Sequence, residues 1–334
     1  MKIKRNIFSN IYVEEAAFDY PITRMVLQEH AHSAIIPVRH YKDVFNRTNQ
    51  HFGLQKQYPS LILAVKSDPL LYKAPDICQN FGYSIFYYTS FLLNCIFDCE
   101  YCYLQGMYPS ANLVAFVNTK DFKNAMSEIV FNEKEPIYLA VSYDTDLIAF
   151  HSIIPYLDYY YDFFSKQPDL FVEIRTKSAS QTFYKEYTPL ENIIIAFTLT
   201  PEDVIKKYEK YTPSLKARIK AVKTAIDNGF KVRLCFDPIF INPEMDELYE
   251  EFYEYIFSEI DANKILDVGY GFFRMSVDFF KRIKKQKNNS QLFLEDYCLI
   301  NDVVSYPPKL QEKVKEKHFT ILSKYIQKER LFSL

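Results

Sequence analysis

Three cysteines, Cys95, Cys99 and Cys102, fall within eight residues in the spacing C-x3-C-x2-C. That spacing constrains the chain more than any other feature. A [4Fe–4S] cluster needs one thiolate per iron, and one short loop can supply three of them. The fourth iron is then left open to a small molecule. Structural zinc sites close with four protein ligands, often as two C-x2-C pairs. No second pair exists here and no histidine lies near the trio. The bland alternative is three buried thiols in an apolar loop, or a partial zinc site.

The remaining cysteines, Cys78, Cys235 and Cys298, are scattered. The start of the chain, Met1-Lys2-Ile3-Lys4-Arg5-Asn6, lacks the apolar run of a signal peptide. No stretch of about 18 apolar residues suggests a membrane span. These features predict a cytoplasmic protein with reduced thiols, no membrane association, and oxygen sensitivity if a cluster is present. With 334 residues, 49% of them hydrophobic and only six glycines, the chain can bury a large core. A net charge of −2 leaves no strongly basic nucleic-acid footprint at the level of the whole chain.

Residues 1–80 predict a small N-terminal α/β extension. Asn10–Glu14, Ala34–Val38 and Leu61–Val65 read as strands, and a helix starts at Pro21. His30, His32 and His40 read as a polar helix end and loop. From residue 84 strands alternate with helices. Strands are expected over Ser84–Phe91, Leu113–Val117, Ile137–Tyr143, Leu170–Arg175, Asn192–Leu199, Val232–Phe236 and Ile265–Tyr270. Helices are expected over Lys120–Phe131, Ile148–Phe164, Pro201–Tyr208, Leu215–Asn228, Glu247–Ile260, Ser276–Lys285 and Lys309–Gln327. This order implies a parallel sheet closed wholly or partly into a barrel, with its chemistry at the carboxyl ends of the strands. The cysteine loop follows the first barrel strand and so belongs to that end. The expected division is 1–80 extension, 81–290 barrel, and 291–334 a C-terminal helical, substrate-side segment.

The cysteine spacing, with Tyr101 just before the third cysteine, resembles the radical S-adenosylmethionine (SAM) superfamily. The resemblance implies a partial (β/α)6 TIM barrel. It also implies a [4Fe–4S] cluster on Cys95, Cys99 and Cys102 whose open iron binds SAM and cleaves it to a 5′-deoxyadenosyl radical. Within that superfamily the chain resembles the spore photoproduct lyase family, which reverses the methylene-bridged thymine dimer of spore DNA. Cys99–Gln105 is close to that family's Cys-x-Tyr-Cys-Tyr-Leu-Gln. Thr176-Lys177 matches the Thr-Lys that ends a barrel strand there, which implies that Lys177 contacts the SAM carboxylate. Thr198 stands where the family has a SAM-contacting serine. Asp203–Lys206, Arg218–Ala221 and Pro238–Ile241 fit in order and approximate spacing. The resemblance further implies DNA as a partner, an electron donor such as flavodoxin or ferredoxin, and radical return through Tyr101 and Tyr103.

Two places depart from the family pattern. The family's hydrogen-donor cysteine lies in a Cys-Thr-Ser-Asp run, where this chain reads Tyr143-Asp144-Thr145-Asp146. Tyr143 thus replaces the donor, and Thr145 replaces a serine on the cofactor side. Near the C-terminus the family carries a basic, glycine-rich hairpin whose Arg-Tyr pair wedges into DNA. Here the corresponding stretch reads Ser305-Tyr306-Pro307-Pro308, in which Tyr306 keeps half of the wedge.

In Val232–Asp237, period-two geometry puts Arg233, Cys235 and Asp237 on one face, and Cys235 is a candidate substitute donor. Lys281–Lys287 is the most basic run, read either as a solvated helix end or as a phosphate contact. Glu247, Glu250, Glu251 and Glu254 read as a solvated acidic face, and Cys78 and Cys298 receive no role. Three functional readings stay open: the lyase, a radical SAM enzyme acting on another nucleic acid, nucleotide or peptide, and a degenerate, non-enzymatic Fe–S binding protein.

Overall fold

The computed structural model describes residues 7–75, 77–241 and 245–333. Met1–Asn6 and the side chain of Glu247 lie outside the described residues. An eight-stranded sheet forms the body of the molecule. Its parallel strands run in the order Ile85–Thr89, Ile137–Ala140, Leu170–Thr176, Ile193–Thr198, Lys231–Ile239, Asp267–Phe272 and Leu331–Ser333. Leu71–Lys73 pairs antiparallel with the first of them. The two outer strands, Leu71–Lys73 and Leu331–Ser333, do not pair with each other, so the barrel stays open.

Ile193–Thr198 is buried at every position, because helices cover one face and barrel side chains the other. The strand order follows chain order, as short right-handed strand–helix–strand units require. A second sheet is built from Ala34–Val38, Asn10–Glu14, Leu61–Ala64 and Leu113–Phe116, all parallel, with Leu92–Leu93 antiparallel at its edge. The N-terminal sheet is therefore completed by a strand that follows the cysteine loop. The two sheets share one continuous apolar core.

Several sequence expectations are corrected. The helix expected over Ile148–Phe164 is two, Leu147–Phe150 and Tyr156–Ser165, because Pro155 cannot continue a helix and becomes the N-cap of the second. Asp237-Pro238 does not end its strand. The strand runs to Ile239 through a register shift against Asp267–Phe272 between Phe236 and Ile239. The strand expected to reach Tyr143 stops at Ala140, which frees Ser142–Asp146 to form a loop at the barrel mouth. The helix Thr182–Glu186 and the last strand, Leu331–Ser333, lie in stretches too short to show a period.

The C-terminal hairpin precedes the position expected for it. Cys298–Ile300 and Val303–Ser305 pair antiparallel around Asn301 and Asp302, both in the left-handed region (φ 48° and 62°). Two such residues in sequence suit a tight hairpin turn without glycine. Arg274–Ser276 adds a third strand. Pro307 and Pro308 are the N-cap and first turn of the helix Pro308–Leu322 rather than ladder residues. Tyr306 is only 3% exposed, at the foot of the hairpin. It keeps no half of a wedge.

Candidate active site

The cysteine loop is built by contacts from three directions. From the N-terminal region, Lys56 donates to the carbonyls of Cys95 (2.6 Å) and Phe97 (2.7 Å). From below, Gln105 donates to the Cys99 carbonyl (2.6 Å) and to Asp98 (3.0 Å). From the C-terminal side, Lys287 pairs with buried Asp98 (3.1 Å), and Arg282 donates to the Gly106 carbonyl (3.0 Å). Lys281–Lys287 is thus divided between two tasks. Arg282 and Lys287 clamp the loop, while Lys281, Lys284 and Lys285 are exposed.

A fourth clamp comes from the loop after Ile193–Thr198. Glu209 and Lys210 form a short antiparallel ladder with Cys99 and Asp98, and the Tyr208 carbonyl accepts from the Glu100 N–H (2.8 Å). Glu209 is buried. It accepts hydrogen bonds from Tyr101, Thr200 (2.8 Å) and Arg218. Arg218, itself buried, also donates to the carbonyls of Thr198 (3.2 Å) and Pro213 (3.0 Å). Burial alone would raise the Glu209 carboxyl. Arg218 and Lys177 outweigh it and hold the group below its ordinary value, so it is ionised.

Burial pushes all three thiols up, Cys95 to about 12 and Cys99 well above its ordinary value. Lys177 opposes this at Cys99, and Lys56 opposes it at Cys95. All three are free. Protonated thiols gathered in one loop, Cys99 buried and Cys95 and Cys102 half-buried, with two lysines acting on them, fit a group that takes them as thiolates. Iron ligation does so and releases the protons. Among the described residues no three His, Cys, Asp or Glu side chains close on one point as around a single ion. A cubane spreads its ligands over separate irons and does not require that.

Lys177 follows the strand Leu170–Thr176, as expected. Its ammonium lies 5.4 Å from the centre of the Tyr101 ring. Burial disfavours its charge, but Cys99 and Glu209 more than compensate, and its pKa is raised. Asp146 fixes the backbone here. It caps Leu147–Phe150 through the Ala149 N–H (2.9 Å) and accepts from the Thr176 hydroxyl (2.8 Å) and the Lys177 N–H (2.7 Å). Thr198 is buried at the end of the next strand, and Thr145 is half-buried beside Asp146. Lys177, Tyr101, Glu209 and Cys99 are brought together. Thr198 joins them through Arg218.

Tyr143 and Tyr103 also meet. The Tyr103 hydroxyl donates to the Tyr143 carbonyl (2.5 Å), and their ring centres are 5.8 Å apart. Cys235 is elsewhere. It is 1% exposed and lies in the barrel at the level of Thr198, its cross-strand partner, with Arg175 acting on it electrostatically. Arg233, on the same face, is bound deeper by Asp267 and by Glu173 (3.0 Å). Asp237, further along, pairs with Arg274 (3.1 Å).

The model of the family described as spore photoproduct lyase matches residues 7–296. The chain belongs to the spore photoproduct lyase family. A spore photoproduct lyase of Clostridium acetobutylicum is 24% identical over 255 residues, covering 74% of this chain and 73% of that one. A solved structure of a spore photoproduct lyase mutant superposes with a TM-score of 0.84 at 14% identity, covering 99% of both chains. A spore photoproduct lyase complexed with dinucleoside spore photoproduct gives the same TM-score, identity and coverage. The spore photoproduct lyase family is one of radical SAM lyases that use a [4Fe–4S] cluster and SAM in DNA repair. Among the described residues no helix is long and apolar enough to cross a membrane.

Sequence reasoning missed Lys56 and Glu209 as parts of this site and gave Asp146 no role. Nothing in the local sequence marks Lys56 or Glu209. Asp146 carried a signal, since it keeps the place of the aspartate that closes the family's Cys-Thr-Ser-Asp run and it precedes the apolar Leu147–Phe150.

Proposed function

We propose that Cys95, Cys99 and Cys102 hold a [4Fe–4S] cluster, that Lys177, Thr198 and Thr145 lie on the SAM side of it, and that the substrate is the spore photoproduct in DNA. When bound, cluster and SAM supply a primary carbon radical that abstracts hydrogen from the substrate. The protein's part is binding and orientation. The Lys177 ammonium, held charged by Glu209, is placed to receive a carboxylate. Tyr101 is fixed by Glu209. The single observation that supports this reading most is the convergence of Lys177, Glu209 and Tyr101 on Cys99, which joins the cysteine loop to two further strand ends. The physiological reductant in this reading is a small electron carrier such as flavodoxin or ferredoxin.

A second reading, a different nucleic acid, nucleotide or peptide substrate, draws on the hairpin. Its turn is Asn301-Asp302, and Leu299 and Ile300 beside it are 57% and 45% exposed. An apolar, acidic-tipped hairpin is a poor match for a phosphate backbone.

Anaerobic reconstitution with iron and sulfide, followed by dithionite and SAM, tests the chemistry through 5′-deoxyadenosine. Release of repaired thymine from DNA irradiated under spore-like conditions tests the substrate. Formation of 5′-deoxyadenosine with no repaired thymine selects the second reading. No 5′-deoxyadenosine overturns both and leaves a non-catalytic Fe–S protein.

A further inference from the structure

The helix Val277–Gln286 has two sides with different tasks. Its inner side is fastened to the cysteine loop. The backbone of Phe279 packs so closely on Gly106 that no Cβ fits between them. Gln286 donates to the Gln105 carbonyl (3.4 Å), Arg282 holds the Gly106 carbonyl, and Lys287 just past the helix end holds Asp98. Asp98 adjoins Cys99 in the chain.

The outer side carries Lys281, Lys284 and Lys285, all exposed and with no ion-pair partner among the described residues. Lys281 and Lys285 are one turn apart and share a face. Asp278 is the only carboxylate of the helix. The carboxylates of the cysteine loop are already paired, Asp98 with Lys287 and Glu100 with Lys210 (3.8 Å). The three free lysines therefore make this surface positive in a chain whose net charge is −2. Beside them a groove of about 350 Å³ runs between the helix and the hairpin. Phe280, Tyr297 and Leu299 line it together with Lys281 and Lys284, and Glu295 is its one carboxylate. Apolar contact area bordered by charge is the anatomy of a protein interface.

We propose that this face docks the protein that delivers the electron, and that this partner is a small acidic electron carrier. The proposal rests on the radical SAM reading above, which needs one electron from outside. In the transfer the carrier is oxidised by one electron, the metal site is reduced by one, and no bond in the protein forms or breaks. The charge of the face complements an acidic partner and steers its approach. Redox encounters are small and transient, so one helix face with a groove is enough surface. The position suits the task as well. A helix with its side chains is about 10–12 Å across. A carrier on the outer side of this one stands about one helix diameter from the loop that holds the thiols, and it leaves the barrel mouth to the substrate. Duplex DNA fits the face less well. Its affinity is built from many phosphate contacts, and here Asp278, Glu295 and the exposed Leu299 lie among only three lysines.

Two measurements test this. The first uses the full chain without its cluster and reads no activity. Oxidised flavodoxin, a small acidic flavoprotein, should slow amide hydrogen exchange over 277–287 at low salt, and raised salt should remove the protection. No protection there at low salt overturns the proposal. The second uses the reconstituted enzyme with reduced flavodoxin as the electron source and 5′-deoxyadenosine as the readout. At low salt the rate should fall about tenfold or more when Lys281→Glu, Lys284→Glu and Lys285→Glu are combined. With excess dithionite the triple variant should match wild type.

A triple variant that keeps the flavodoxin-driven rate overturns the docking assignment. If it keeps that rate and binds duplex DNA more weakly, the lysines are phosphate contacts instead. If it also fails with dithionite, the exchange measurement on wild type decides. Wild type that makes no 5′-deoxyadenosine even with dithionite overturns the radical SAM reading, and the docking assignment with it.

Discussion

Glu209 faces Cys99 across a two-residue antiparallel ladder, and the same glutamate receives the buried guanidinium of Arg218. One residue thereby sets the position of a cluster thiol and neutralises a charge that burial would otherwise make costly. Removing one partner of a buried pair leaves the other uncompensated and costs about 3–5 kcal/mol. Glu209→Ala is expected to destabilise the protein by about that amount in urea unfolding. Arg218→Ala should cost nearly as much. The double variant should cost clearly less than the sum of the two, because the pair acts as a unit.

The acid limb of stability follows from the same carboxylate. Glu209 sits below its unfolded value of 4.5 because Arg218 and Lys177 outweigh the effect of burial. The unfolded chain therefore binds the proton more tightly. The stabilisation is complete above 4.5 and is lost as pH falls through the lower folded value. Asp144 and Asp146 carry the opposite sign, since burial raises both above 3.8. Their contribution falls as pH rises from 3.8 through the raised folded value. Glu209→Gln should therefore flatten the loss of stability below 4.5, read as urea midpoints across the acid range. An unchanged acid limb in that variant would mean that Glu209 is not ionised in the folded protein.

Lys56 ties the cysteine loop to the N-terminal region through two carbonyls, at 2.6 and 2.7 Å. Hydrogen bonds from a charged donor contribute about 1.5–3 kcal/mol each. Lys56→Met should leave the fold intact but lower iron and sulfide uptake during anaerobic reconstitution. Wild-type uptake in this variant would show that the loop holds its shape without the lysine.

Gly106 has no room for a side chain. A Cβ there would lie 2.6 Å from the Phe279 Cα, Cβ and carbonyl oxygen, and backbone cannot step aside as a flexible side chain can. Gly106→Ala is expected to cost about 2 kcal/mol or more, the scale of overpacking. The thermal midpoint is the readout. The same push separates Val277–Gln286 from the cysteine loop, so cluster content should fall with it.

Lys177→Met removes the ammonium placed beside Cys99. A lost charge-assisted hydrogen bond of about 1.5–3 kcal/mol corresponds to a roughly 10- to 100-fold weaker affinity. SAM should therefore perturb the cluster's absorption or resonance spectrum only at correspondingly higher concentration, while cluster content stays high. Loss of the cluster itself would reassign Lys177 to holding the loop.

The sequence by itself determined the local features of this protein. The three thiols, the aromatic before the last of them, and the lysine after a barrel strand all lie within short windows. The strand–helix alternation was legible for the same reason, because periodicity is a property of neighbouring residues. Its errors fell where a single residue overrode the pattern, at Pro155, or where tertiary pairing carried a strand past a proline, at Pro238.

Only the tertiary structure decided what surrounds the thiols. Tyr101 reaches Glu209 across 108 residues, Lys56 reaches Cys95 across 39, and Cys78 reaches Tyr143 across 65. Such partners leave no mark on the sequence near either residue. Their meeting is fixed by the register and order of the barrel strands, which bring loops from distant segments to one mouth. The same chain order that made the barrel readable therefore concealed the residues that complete its site.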